Sequence, residues 1–230
     1  AEKVILPKEK VKATRRSPSK LILYGPPKIG KTTLVSQLKN TLVLDLENGS
    51  DFVDAVKIKI NSIDELKKVG EAIKTEGKPY KRIVIDTCTR LEDWAEDLAT
   101  KIYKETPIGK NFKEKSVLML PQGGGYFYLR MAFQKLQEYI ETLSDEIIYI
   151  GHVKDKLIEK EGKEVSAKAL DLTGKVGSIA CSKADAVGYL YRKNNTLMVT
   201  FIASDEIVCG SRCEHLKGQE FEFDWKKIYI

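Results

Sequence analysis

Gly25-Pro26-Pro27-Lys28-Ile29-Gly30-Lys31-Thr32-Thr33 follows the apolar run Leu21-Ile22-Leu23-Tyr24 and precedes Leu34, Val35 and Leu38, which recur at helical spacing. The nine residues fit G-x-x-x-x-G-K-[ST], and the order strand, glycine loop, helix is the context that gives the motif its meaning. Glycines let the backbone curl so that successive N–H groups converge on phosphate oxygens, and the helix start adds its partial positive charge. Lys31 is placed to neutralise the β- and γ-phosphates, and the Thr32 hydroxyl to complete a Mg²⁺ shell. The segment therefore predicts a nucleoside triphosphate site, with ATP and Mg²⁺ as cofactors and Gly25 through Thr33 as the cradle.

A chain of 230 residues with 42% apolar content suits one α/β core. No apolar run approaches the roughly 20 residues that cross a bilayer, and no signal-peptide core opens the chain, so no membrane contact is expected. Cys88, Cys181, Cys209 and Cys213 are too sparse for a disulfide scaffold, which points to a reducing, cytoplasmic setting. The formal charge is +6, and residues 1–20 carry nearly all of it: seven lysines and arginines against Glu2 and Glu9. A basic arm, 1–18, ending near Ser17-Pro18, thus precedes a nearly neutral domain, 19–230. Such an arm suits either nucleic acid or a solvated tail. Within it Val4-Ile5-Leu6 reads as a segment able to add a strand to a neighbouring copy.

Further along, Thr41–Asp45 and Arg82–Asp86 read as buried strands, and Ala55–Ile60 as a strand with one wet face. Ser62 with Glu65, and Thr89 with Glu92, form capping boxes. The first opens a helix to about Thr75; the second opens one with Leu91, Trp94, Ala95, Leu98 and Ile102 on a single face. Residues 106–125 are irregular. A helix carrying Leu129, Phe133, Leu136 and Ile140 leads to the strand Ile147–Ile150, which ends at Gly151-His152. Residues 154–172 suit a loop or hairpin turning at Glu161-Gly162, and Val187–Arg192 with Leu197–Ile202 flank Asn194-Asn195 as a hairpin. Alternating strands and helices followed by strands alone predict an α/β fold, a mostly parallel sheet flanked by helices with antiparallel strands at one edge.

Asp86 closes an apolar strand, the place where a phosphate-loop protein sets a carboxylate to hold the metal through water. Asp45 and Glu47, two apart, would share a side of an extended backbone, and a carboxylate there suits activation of the attacking water. A solvated turn at Glu47-Asn48-Gly49-Ser50 is the alternative. Cys209, Cys213 and His215 offer three zinc-type ligands where a structural site takes four, so Cys181 or Cys88 would have to complete it; thiols in the core or at a strand edge are the simpler reading.

Leu44-Asp45-Leu46-Glu47-Asn48-Gly49 resembles the segment of RecA-type recombinases whose glutamate activates the lytic water. More closely, Tyr24 to Leu34, Ile83-Val84-Ile85-Asp86-Thr87 with Thr89-Arg90-Leu91, Gly151 to Lys156, Ala184 to Leu190 and Gly210-Ser211-Arg212 resemble a phage family of compact RecA-like ATPases, the Sak group of single-strand annealing proteins and their nucleotide-binding relatives. The likeness runs from about residue 20 to 218. It implies a RecA-like P-loop fold and hydrolysis through Glu47. It further implies that His152 takes the γ-phosphate sensing position that relatives fill with glutamine or asparagine, and that Arg212 is offered to a neighbouring subunit's ATP. Implied partners are single-stranded DNA, copies of the chain in a ring or filament, and a single-strand binding protein in a bacterial host cell. DNA contacts are implied for loops 106–128 and 153–175, through Lys110, Lys113, Tyr126, Tyr128, Lys154 and Lys156, since aromatics beside lysines suit stacking with phosphate neutralisation. A small-molecule P-loop kinase would need an arginine-rich lid, and 153–175 contains no arginine. A nucleotide-gated replication or recombination accessory module without direct DNA contact is the remaining alternative.

Overall fold

Leu21–Tyr24, Leu42–Leu44, Ile83–Ile85 and Ile147–Ile150 are apolar at every position, so neither face of these strands can meet water. A computed structural model describes residues 6–160 and 162–230 and shows how both faces are covered. In chain order the elements are β1 (Lys20–Gly25), α1 (Lys31–Ser36), β2 (Thr41–Asp45), β3 (Lys57–Lys59), α2 (Ile63–Thr75), β4 (Arg82–Asp86), α3 (Cys88–Lys104), α4 (Gly125–Glu141), β5 (Glu146–Lys160), β6 (Lys163–Leu170), α5 (Val176–Lys183), β7 (Ala186–Lys193), β8 (Thr196–Thr200), β9 (Gly210–Ser211), β10 (Glu220–Glu222) and α6 (Trp225–Ile228).

The sheet order is β10-β8-β7-β1-β5-β4-β2-β3, with β6 paired to β5 and β9 to β7. From β7 to β3 every neighbouring pair is parallel, whereas β8 and β10 add antiparallel strands at one edge. This is the α/β arrangement expected from the sequence, a mostly parallel sheet flanked by helices with antiparallel strands at one edge. Strand alternation sorts the side chains. Ile22, Tyr24, Leu42, Leu44, Ile83, Ile85 and Tyr149 pack under Leu66, Leu91, Trp94, Phe133 and Ile140 of α2, α3 and α4. Leu21, Leu23, Val43, Val84, Ile148 and Ile150 pack against Leu34 and Val35 of α1, Phe201, Leu216 and Ile228 of α6.

Several local expectations change. The α1 helix stops at Ser36, before Leu38, and Trp225 Nε1 donates to the Leu34 carbonyl that ends it (2.8 Å). The Ser62 hydroxyl does accept from Glu65 N (3.2 Å), but the Glu65 carboxylate reaches back to Asn61 N (2.8 Å). At α3 the capping residue is Thr87, which accepts from Arg90 N (3.3 Å), and Thr89 lies inside the helix. Glu92 instead accepts from Thr173 N (2.6 Å) and Thr173 Oγ1 (3.0 Å), tying α3 to the segment before α5. A long-range partner outcompetes the local box. The segment after His152 is a regular hairpin: β5 continues unbroken to Lys160 and pairs antiparallel with β6. Helix α5 has no counterpart in the sequence reading, because Gly177 and two serines dilute its apolar face. The strand expected over Ala55–Ile60 shrinks to three residues. Asn194 and Asn195 both sit at positive φ (48° and 64°), the tight two-residue turn that matches strand twist between β7 and β8.

Residues 6–16 form no helix or strand and are exposed. The arm is then clasped to the other terminus, where Ser17 Oγ donates to Ile230 O (3.1 Å) and accepts from Ile230 N (3.0 Å). The proposed strand at Val4-Ile5-Leu6 lies largely outside the described residues. Among the described residues no helix is long and apolar enough to cross a membrane.

Candidate functional site

The parallel strands end together, and their ends hold the site. β1 stops at Gly25, where a Cβ would lie 2.5 Å from the Leu190 carbonyl oxygen, so only glycine lets the chain turn here. Lys28 (φ 60°) and Gly30 (φ 106°) take left-handed conformations, the curl that a phosphate-binding loop needs before α1 begins at Lys31. Lys31 is folded back: its Nζ donates to Gly25 O (3.1 Å) and Pro26 O (2.7 Å). Burial pulls its pKa down, with Asp86 and Glu47 acting in the opposite sense. The ammonium thus occupies the cradle with carbonyl partners that an anionic phosphate can replace.

Thr32 Oγ1 donates to Asp86 Oδ2 (2.7 Å), although 54 residues separate them. Burial pushes the Asp86 carboxyl above its ordinary value; the Thr32 bond opposes this and the neighbouring Glu47 and Asp45 reinforce it. A buried carboxylate with a hydroxyl beside it suits a hard cation, which would relieve that unfavourable charge. No cluster of three or more metal-ligating side chains occurs among the described residues. That donor set fits Mg²⁺, which keeps waters and phosphate oxygens in its shell and takes only one or two ligands from protein.

Asp45 and Glu47 do not share a face, since β2 ends at Asp45. The Asp45 carboxylate turns inward, 1% exposed, and accepts from Glu47 N (3.1 Å), Gly49 N (3.2 Å), Ser50 N (3.0 Å) and Ser50 Oγ (2.5 Å). It organises the 47–50 turn. Burial raises its pKa, but these bonds outweigh burial and hold it below the ordinary 3.8. Its ionic contribution to stability is therefore present above pH 3.8 and lost as pH falls through the depressed value. Asp45→Ala is expected to lower stability by about 1–3 kcal/mol, the cost of orphaning buried donors. Denaturation melts at neutral pH and below pH 3.8 should show that deficit shrinking in acid.

Glu47 points the other way. Its Oε1 accepts from Thr87 Oγ1, and both oxygens lie beside His152 Nε2 (3.2 and 3.3 Å). The His152 bond, ahead of the Thr87 bond and against burial, holds the Glu47 carboxyl below its ordinary value. His152 is brought there by register: it stands opposite Gly25 in the β1–β5 pairing. Lys31, Thr32, Glu47, Asp86 and His152 thus converge at one end of the sheet.

Arg212 does not join them. Its N–H bonds Asp185 O (2.7 Å) and its guanidinium bonds Ser182 O, at the strand starts rather than the strand ends. Lys110, Lys113 and Lys156 are exposed, whereas Lys154 Nζ bonds the Leu172 carbonyl. Tyr126 is 39% exposed; Tyr128 is half-buried with its ring 5.1 Å from Tyr103. Of the zinc-type set, His215 Nε2 bonds Ile228 O (2.9 Å) and Cys209 Sγ bonds Ile202 O (3.0 Å). Two site residues escaped the sequence reading. Thr87 serves both as α3 cap and as donor to Glu47, and its place directly after Asp86 was the available signal. Arg192, at the end of β7, reaches the phosphate-loop carbonyl of Ile29 (3.5 Å) and Asn195 O (2.6 Å). Nothing local marks it.

A family profile described as an AAA domain matches residues 17–213. The chain belongs to this AAA-domain family. Among curated sequences none matches it significantly. Among solved structures, a RadB recombinase superposes with TM-score 0.46 at 14% identity, covering 92% of this chain and 90% of the other. A type III secretion system ATPase of pathogenic bacteria superposes with TM-score 0.48 at 15% identity, covering 92% and 62%, so this AAA domain spans about three-fifths of that chain. A KaiC-like protein from the archaeon Pyrococcus horikoshii gives TM-score 0.45 at 16% identity, covering 91% and 87%. The AAA domain is a nucleotide-binding P-loop ATPase.

Proposed function

We propose that this AAA domain hydrolyses ATP to act on single-stranded DNA in phage-type recombination, by annealing or strand exchange. The observation that carries the reading is the Glu47–His152 contact, because β5 runs unbroken from His152 into the β5–β6 hairpin that holds Lys154 and Lys156. A group that meets the catalytic carboxylate and a loop suited to DNA are one continuous strand. Movement at either end is transmitted to the other.

In this mechanism the loop N–H groups from Gly25 to Thr33 and the Lys31 ammonium hold the triphosphate. Mg²⁺, when bound beside Thr32 and Asp86, offsets charge on the β- and γ-phosphates. Glu47 accepts a proton from water as its oxygen attacks the γ-phosphorus and the bond to the β-phosphate oxygen breaks. His152 donates to Glu47 before substrate and to the γ-phosphate once it arrives, so Glu47 is released for the base role only in the loaded site. Arg212, remote from its own chain's loop, would serve a neighbouring copy in a ring or filament, and a single-strand binding protein would present the DNA. On the DNA side Lys110, Lys113, Lys154 and Lys156 would neutralise phosphates and Tyr126 would stack, whereas Tyr128 already packs on Tyr103.

The test is ATP turnover with and without a single-stranded oligonucleotide, together with its binding at several salt concentrations. Turnover is expected to rise several-fold with DNA, and log K to fall by about 0.7 per contacted phosphate for each unit of log salt. Binding is expected to tighten with ATP. If no oligonucleotide binds at low salt with ATP and Mg²⁺, the nucleotide-gated accessory module without direct DNA contact takes its place.

A further inference from the structure

At the end of the sheet opposite the phosphate loop, the starts of β1 and β7 border a cleft of about 530 Å³ lined by Arg15, Arg16, Asp185, Arg212, Glu214 and His215, with smaller residues between them. It lies about 17 Å from the loop, the length of β1 at ~3.3 Å per residue. The arm does not merely float past it: the Ser17–Ile230 clasp anchors the chain directly after Arg15 and Arg16.

The acids of the cleft are engaged within the chain. Asp185 accepts from Ser19 N (2.9 Å), Ser19 Oγ (2.7 Å) and Lys20 N (3.1 Å), and Glu214 pairs with Lys217 (2.8 Å). The adjoining depression, which also contains Arg212, Lys183 and Glu138, holds the Glu141–Lys20 pair (2.5 Å). The Glu214 charge is offset by Lys217 and the Asp185 charge by Arg212, so Arg15 and Arg16 carry the net positive charge of this concave surface. Guanidinium is the side chain whose planar fork matches two phosphate oxygens at once. Apart from His215, whose Nε2 is bonded to a backbone carbonyl, the lining has no ring on which a base could stack. Such a surface suits a phosphate backbone rather than a nucleobase, and hence salt-sensitive, sequence-neutral binding.

We propose that this cleft seats the phosphodiester backbone of single-stranded DNA independently of ATP, a second DNA site remote from the β5–β6 hairpin. The inference rests on the reading of the protein as acting on single-stranded DNA. It is tested by titrating a labelled oligonucleotide without nucleotide, over a range of salt, for the native chain, Arg15→Gln/Arg16→Gln and Arg15→Lys/Arg16→Lys. Loss of two phosphate contacts is expected to flatten the salt slope by about 1.4 in the glutamine pair. The lysine pair should keep the native slope, since counterion release depends on charge. Turnover without DNA, the melting temperature and the gain in affinity on adding ATP should match the native chain in both variants. Native binding with an unchanged slope in the glutamine pair overturns this site and leaves the DNA reading standing. Absence of native binding without nucleotide overturns this ATP-independent site, and the DNA reading falls with it only if binding is also absent at low salt with ATP and Mg²⁺. An unchanged slope with turnover that falls in a protein-concentration-dependent way overturns it too, and gives the arginines to a neighbouring copy's triphosphate.

Discussion

Glu47→Gln is expected to bind ATP about as tightly as the native chain and to turn it over about 10²–10⁴-fold more slowly, the range for removing a general base. The carboxamide keeps the size of the carboxylate and an acceptor for Thr87, so the phosphate cradle is left intact. It cannot take a proton from water. Because the His152 and Thr87 bonds hold Glu47 below its ordinary value of 4.5, the carboxylate is the resident form throughout the neutral range. The acid limb of native kcat/KM, which reports the free enzyme, should accordingly fall below pH 4.5, at the depressed pKa, and vanish in the variant. Single-turnover hydrolysis beside equilibrium ATP binding separates the two quantities. Near-native turnover in Glu47→Gln would remove Glu47 from the base role, and Asp45, buried and bonded to its own turn, is not placed to assume it.

Asp86→Asn is expected to move stability and activity in opposite directions. Burial raises the Asp86 pKa above 3.8, so the folded state binds the proton more tightly than the unfolded chain does. Stability from this group is then lost as pH rises from 3.8 through the folded value, and at neutral pH the ionised side chain is a net cost without a cation beside it. Asparagine keeps an acceptor for the Thr32 hydroxyl and removes the charge. The nucleotide-free variant should therefore melt above the native chain at neutral pH, with the gap closing below pH 3.8. Turnover should fall by about 10²–10³-fold, as when one preorganised electrostatic contact to a transition state is removed. Thermal melts across pH, paired with steady-state ATPase rates, check both halves. A variant that melts below the native chain at neutral pH would show that the Thr32–Asp86 pair is a structural tie, not a site held ready for a cation.

Features that depend on neighbours along the chain are legible in the amino-acid order. The phosphate loop is contiguous, its glycines and Lys31 act within nine residues, and the apolar runs of β1, β2, β4 and β5 announce strands covered on both faces. Caps are less secure. The Thr89–Glu92 pattern has the right spacing, yet Thr87 caps the helix and Glu92 is taken by Thr173, 81 residues away. A capping box contributes about 1 kcal/mol, and a partner delivered by the segment before α5 is enough to displace it. The hairpin after His152 is only half visible, since its two-sided polarity gives no period by which to fix a register.

By itself, then, the amino-acid sequence determined the phosphate loop, the buried strands, the antiparallel edge and the identity of the carboxylate closing β4, because each is encoded in a local run or spacing. Only the tertiary structure decided which carboxylate faces the site. Spacing alone leaves Asp45 and Glu47 equivalent, and only a resemblance points to Glu47; the end of β2 at Asp45 turns one into the 47–50 turn and the other toward His152, 105 residues further on. It also decided that Arg212 sits at the far end of the sheet, in a cleft with Arg15 and Arg16. The reason is strand order. A parallel sheet places every strand end at one edge and every strand start at the other, so residues remote in sequence meet or separate according to which end of a strand they follow.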